Sequence, residues 1–320
     1  MRSIVLTTVL LAFCVFGEAA SQDYPAKPIR IVVPWPAGGS SDTLARLIGQ
    51  QLSQRWAQQV IVDNRPGAGT TLGNDIVAKS AADGYTLMVT ATAFVASSAL
   101  YPNLPYRIDR DFAPIILAAV APSVLLTHPS LPVKSVAELV QLARAKPGEI
   151  NYASGGSGSS DHIAAELFKT LAKVDMTHVP FKGATPALTD VVSGNTQVMF
   201  SIAITAMPHV RSGRLRALAS TSPKRSALLP ELPTLEESGI AGYAFETWVG
   251  VLAPASVPAA AIAKVNGEVQ KILAAPEMQE KLKAMGAEPV GGSPAEFAAR
   301  IHSDIATISK VVKISGMKVD

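Results

Sequence analysis

Short β-branched runs alternate with helical periodicities along most of this chain. Ile29–Pro34 is apolar and β-branched, the composition of a buried strand. Leu44, Leu47, Ile48 and Leu52 then recur at helical spacing. Val60–Asp63 predicts a second strand, Thr71 to Ala82 a helix stopped by Asp83-Gly84, and Tyr85–Thr90 a third strand. Strands and helices in that alternation imply parallel pairing with right-handed crossovers.

The middle of the chain repeats the scheme. Pro114–His128 is apolar but broken by Pro122, as expected of a strand that leaves one domain and enters another. A helix follows over Ser135–Ala145, where Ser135 and Glu138 read as a capping box. Strands are expected at Ile150–Ser154, Thr177–Phe181, Gln197–Ile202 and Arg216–Ser220, with helices at His162–Ala172 and Ala184–Ser193. Pro223–Gly242 reads as a loop carrying a short helix. Trp248–Ala253 is a strand suited to a return crossing, and the remainder reads as helical: Ala259–Ala274, Pro276–Met285 and Pro294–Val312. The expected fold is α/β with two lobes joined by two crossover segments. Residues 22–121 with 248–320 form lobe 1, and 122–247 form lobe 2. Ligands in such folds sit at the carboxyl ends of strands, in the cleft between the lobes.

Two Gly/Ser turns stand out against this background. Gly38-Gly39-Ser40-Ser41-Asp42 follows the first strand, and Gly155-Gly156-Ser157-Gly158-Ser159-Ser160-Asp161 follows the strand ending at Ser154. Each opens onto an amphipathic helix. A glycine turn running into a helix start gathers unpaired N–H groups and a positive dipole end at one spot, which favours an anion. Glycines admit close backbone approach and serines add hydroxyl donors. The competing reading is a tight turn with no ligand. In the first turn, Asp42 is expected to complement the helix dipole rather than touch an anion. In the second, His162 is either a ligand donor or a plain first-turn residue. Trp248 is either core or a wall of the cleft. Gly67, Gly69 and Gly73 are spaced GxGxxxG rather than GxGxxG and follow the second strand, so no dinucleotide is expected there.

Composition narrows the classes further. Arg2, the apolar stretch Ile4–Phe16 and the small residues to Ser21 read as a signal peptide over residues 1–21, which predicts export. Its removal takes away Cys14, the one cysteine, and with it disulfides and thiol chemistry. A net charge of +3 over 320 residues, with no basic tract interleaved with aromatics, argues against nucleic acid. The five histidines show no HxxxH or HExxH spacing, so no metal is expected. Ser157 lies in Gly156-Ser157-Gly158, but Ser159 takes the place of the last glycine of a GxSxG elbow. A secreted serine hydrolase using Ser157 is the competing class; no cofactor and no catalytic residue are expected otherwise.

At the level of motifs the chain resembles the periplasmic solute-binding proteins of tripartite tricarboxylate transporters, the Bug receptors. The resemblance runs over nearly all of the expected mature chain. It is carried by Tyr24-Pro25, Lys27-Pro28-Ile29-Arg30, Val33-Pro34 through Pro36-Ala37-Gly38-Gly39 to Asp42, and Asn64-Arg65-Pro66-Gly67-Ala68-Gly69. Ala82-Asp83-Gly84-Tyr85-Thr86-Leu87, Ser157-Gly158-Ser159 with His162, and His178-Val179-Pro180-Phe181-Lys182-Gly183 follow. Pro208-His209-Val210 and Gly213-Arg214-Leu215-Arg216-Ala217-Leu218-Ala219 complete the series. The resemblance implies a type II periplasmic-binding-protein fold acting as a monomer. It also implies a small carboxylate or carboxylated aromatic as ligand, held partly through ordered waters, and membrane transporter subunits as partners. By position, Ala37, Gly38, Gly39 and Ser40 form one jaw, and Ser154, Gly155, Ser157, Gly158 and Ser159 the other, with Thr92 and Gly69 adding looser contributions. A sensor delivering its ligand to a signalling protein is the alternative role. Two positions depart from the family pattern. Ser201-Ile202 stand where an Asp commonly follows the strand, which points to a ligand without an ammonium group. Thr70 replaces a usual third glycine and is expected to narrow the cleft.

Overall fold

The computed structural model describes residues 24–317 except residue 102. The expected signal peptide lies outside the described residues. The chain opens with β1 (Ile29–Val33), α1 (Ser40–Trp56), β2 (Val60–Asn64), α2 (Thr71–Ala78), β3 (Thr86–Ala91) and α3 (Ala93–Leu100). It continues with α4 (Ile108–Asp111), β4 (Phe112–Ala121), β5 (Ser123–Thr127), α5 (Val136–Ala145), β6 (Asn151–Ser154) and α6 (Ser160–Ala172). Next come β7 (Thr177–Pro180), α7 (Ala184–Ser193), β8 (Val198–Ile202), α8 (Ala203–Arg211) and β9 (Arg216–Ser220). The last section holds β10 (Thr247–Pro254), α9 (Ala259–Ala274), α10 (Pro276–Ala284), β11 (Glu288–Gly291) and α11 (Pro294–Ser315).

These elements make a two-lobed α/β fold. One sheet has the order β11-β4-β10-β3-β1-β2 and the other β7-β6-β8-β5-β9. β1 pairs in parallel with β2 and β3, as the alternation of strand and helix requires. β10 enters antiparallel between β3 and β4. In the second sheet β6 is parallel to β7 and β8, while β5 runs antiparallel to β8 and β9. Pro122 alone separates β4 in one sheet from β5 in the other, and its carbonyl accepts from the Ala203 amide at 2.9 Å.

Three apolar cores hold the layers. One lies between the first sheet and α1, α9 and α10, around Ile31, Leu44, Ile48, Val251 and Val269. Another packs α7 and α8 onto the second sheet through Val191, Met199 and Ala206. The largest is common to both lobes: Phe94, Phe112, Tyr152, Phe168, Phe200, Trp248 and Phe297 belong to one cluster. α11 closes it, packing against α3, β4 and α6, so a single helix bears on both lobes. Ser293 and Glu296 start α11 with a capping box, and Pro294 takes the first turn.

Several expected elements differ. The helix after β2 ends at Ala78 rather than Ala82. Ser135 caps α5 by accepting from the Glu138 amide, but the Glu138 carboxylate reaches the Lys134 amide at 2.6 Å. α8 and β11 fall in gaps left between expected elements, and α3 has no counterpart in the sequence reading.

Candidate functional site

The first turn joins β1 to α1. Gly38, at φ +89, occupies a conformation that favours glycine, and its amide donates to the Asp42 carboxylate at 2.8 Å. Asp42 also accepts from Arg46 Nε at 3.0 Å and from Asn64 Nδ2 at 2.9 Å. The same Asn64 nitrogen donates to the Trp35 carbonyl at 3.1 Å. Burial pushes the Asp42 carboxyl up, but the bonds from Arg46, Gly38 and Asn64 outweigh it and hold it below the usual range. Asp42 therefore braces the turn. Gly39, the N-cap of α1, has no side chain to cap the helix, which leaves first-turn amides pointing outward.

The second turn joins β6 to α6 and is braced more heavily. Gly155 N donates to the Asp161 carboxylate at 2.6 Å, and Gly156 N to Ser154 Oγ at 3.2 Å. Gly158 N donates to His162 Nδ1 at 3.1 Å, and Ser159 Oγ to the Gly156 carbonyl at 2.7 Å. Behind the turn, Ser154 Oγ lies 2.6 Å from His178 Nε2. His178 is stacked on His162 at 3.8 Å between ring centroids and on Tyr152 at 4.9 Å. Burial, with His178 and Lys169 nearby, pushes His162 down to about 3, so at neutral pH its Nδ1 is an acceptor for the Gly158 amide. Asp161 is pushed up by burial against the bonds it accepts from Ser159 and Gly155. Gly155 is required sterically: a Cβ there would lie 2.8 Å from the Ala184 amide nitrogen at the start of α7.

Both turns face one cavity of about 580 Å³. Ala37, Gly39, Ser40, Gly69, Thr92, Gly155, Ser157, Gly158 and Ser159 line it, as do first-turn residues of α1, α3, α6 and α7. Helix N-termini of both lobes thus open onto the same space, an arrangement suited to an anion. Among the described residues no Lys, Arg or His side chain lines it, so the attraction comes from backbone dipoles and hydroxyls. Among the described residues no group of three or more His, Cys, Asp or Glu is placed to hold a metal ion.

Four of the expected site residues lie elsewhere. Gly38 shapes the turn through its bond to Asp42 and does not line the cavity. Ser154 is fully buried, bonded to His178. His162 is 6% exposed and serves the Gly158 amide from behind. Trp248 is fully buried in the shared core, its Nε1 donating to Asp304 at 2.7 Å; alternation along β10 turns it inward and presents Thr247 to the cavity instead. Thr70 does not narrow the cleft either. Its side chain is buried and accepts from Asn74 Nδ2 at 3.1 Å.

The cavity also uses residues that the sequence reading passed over. Thr247 comes from β10, and Ala184 starts α7. Ala93, Ala96, Ser97, Leu100 and Tyr101 come from α3 and its end. The i, i+3, i+4 recurrence of this last group is the one signal that could have found it.

Comparisons with known proteins bear on the family and the fold. The model of the tripartite tricarboxylate transporter family receptor matches residues 44–317. Protein BugT of Bordetella pertussis is 34% identical over 321 residues, covering 99% of this chain and 98% of BugT. A Rhodopseudomonas palustris protein solved with adipate is 37% identical at TM-score 0.77, covering 93% of this chain and all of that one. MatC from the same organism, solved with bound malate, is 33% identical at TM-score 0.73, covering 90% of this chain and all of MatC.

Proposed function

The chain belongs to the tripartite tricarboxylate transporter receptor family, and we propose that it captures a small carboxylate between its two Gly/Ser turns in the periplasm and delivers it to a membrane transporter. The observation that carries this reading is the convergence of helix N-termini from both lobes on one cavity with no cationic side chain among its described lining residues. Such a seat reads a single anionic group through amides and hydroxyls. The solved relatives with adipate and malate support a carboxylate over other anions.

The rest of the lining favours a ligand without an ammonium group. Asp161 is the one acidic side chain among the described lining residues, and it is tied to the Gly155 amide. Ser201 does not line the cavity and pairs with Thr205. The test is a thermal-shift panel of organic acids, amino acids and the uncharged methyl esters of the same acids. Binding of acids but not esters is expected, and Ser157→Ala should weaken it by about 1–3 kcal/mol through the lost donor. Tight binding of an amino acid with no response to simple carboxylates would sink the reading. Delivery is tested separately, by loss of uptake of the identified acid in cells lacking this protein.

A further inference from the structure

The cavity extends well beyond what one carboxylate needs. One face of α3, with the residue that follows it, presents Ala93, Ala96, Leu100 and Tyr101 to it, spaced as neighbours on one side of a helix. From Ala93 to Tyr101 this face runs about 12 Å at 1.5 Å per residue. Its near end adjoins the anion seat: Thr92 follows β3 and caps α3, and β3 pairs with β1, so the helix starts beside the turn at Trp35–Ser40. At the far end the Tyr101 hydroxyl stands where a Cβ on Gly69 would collide with it.

The chemistry changes along this length. The seat is rich in amides and hydroxyls. Short of Tyr101 the α3 face is apolar, because Ser97 Oγ donates to the Phe94 carbonyl at 2.7 Å and lies 3.2 Å from Tyr106 OH. Ser97 thus satisfies itself within the core. Asp161, the one charged side chain among the described lining residues, belongs to the seat end. A compact C2–C4 acid would fill the seat and leave the apolar face against water.

Resting on the receptor reading above, we propose that the ligand is an extended carboxylate whose apolar body, about six carbons or longer, lies along the roughly 12 Å face of α3, and that Tyr101 limits its length. Each methylene buried along that face tightens binding about fourfold.

Calorimetric titration of the purified protein with sodium acetate, butyrate, hexanoate, octanoate and succinate tests this. Hexanoate is expected to bind tenfold or more tighter than butyrate or succinate. Tyr101→Ala should raise the ratio of octanoate to hexanoate affinity threefold or more by opening the far end. Tyr101→Trp should lower the same ratio, which keeps the test available if the alanine variant does not fold. Equal affinity for butyrate and hexanoate, tighter binding of succinate, or a ratio unmoved by both variants overturns the inference and leaves the receptor reading standing. Failure of all five acids to bind overturns the receptor reading, and the inference with it.

Discussion

The two turns reach the same geometry by opposite electrostatics. In both, a carboxylate in the first turn of the following helix bends back to a glycine amide, Asp42 to Gly38 and Asp161 to Gly155. Asp42 is held charged by a network ending on Arg46, whose side chain is half exposed. The second turn is braced from a buried stack in which His162 is kept neutral. A charged brace near the surface answers to salt, and a neutral buried one answers to protons. One receptor therefore carries two jaws that fail under different conditions.

The largest test of that contrast is pH. His162 has its folded pKa pushed to about 3 from 6.5, so between those values the unfolded chain binds more protons than the folded one. Stability from this group is complete above about pH 6.5 and lost as pH falls toward 3, by a few kcal/mol, on the order of 1.4 per pKa unit. Asp42 has a lowered folded pKa. Its contribution is present above the ordinary carboxylate value and is lost only as pH falls through the lower folded one. Asp161, shifted up, works in the opposite sense to His162. The clean readout is therefore urea unfolding of wild type against His162→Asn from pH 7 to 4. The variant keeps an acceptor for Gly158 and should lose less stability on acidification; equal losses would refute the neutral brace.

A smaller effect comes from the glycines themselves. Gly155→Ala forces a methyl onto the Ala184 backbone and should cost about 1–3 kcal/mol, together with ligand binding. Gly39→Ala places its methyl 3.7 Å from the Pro36 carbonyl, an ordinary contact, and should change stability by less than about 0.5 kcal/mol. Melting curves of the two variants decide whether the jaws differ in this way. Of similar size at most is the division within the first brace. Asp42→Ala, which strands the Gly38 amide, should cost about 1–3 kcal/mol. Arg46→Ala should cost little, and less still at high salt, because its charge is screened by solvent. A larger loss for Arg46→Ala than for Asp42→Ala would reverse the proposed hierarchy.

Much of the fold was legible because its signals are local. β1, β2 and β3 announce themselves by β-branched runs, and Pro122 marks the crossing because it breaks an apolar stretch. The two turns were legible because glycine is scarce where a chain must stay regular. Their braces were not. His162 is held neutral first by its burial, and then by His178 of β7, which stacks on its ring. Trp248 was ambiguous because alternation gives two faces without naming the inner one. α3 escaped notice because α11 covers one side while the cavity takes another, leaving little of the polar stripe that marks a surface helix. β11 is too short, with Pro289 and Gly291 in four residues, to stand out from a loop.

The position of β10 bears on how the chain comes together. It lies between β3 and β4, yet follows the whole of the second sheet in sequence. Until residue 254 is available, β3 and β4 expose edges that nothing local can pair. The five-stranded sheet, contiguous from β5 to β9, needs no later strand and can assemble first. The first sheet waits for a partner from the far side of a completed neighbour, and such distant pairing is slow. Its edges are open to wrong partners during that wait. Once β10 seats and α11 lies down across α3 and α6, the two lobes share a core. They should then unfold in one transition rather than two.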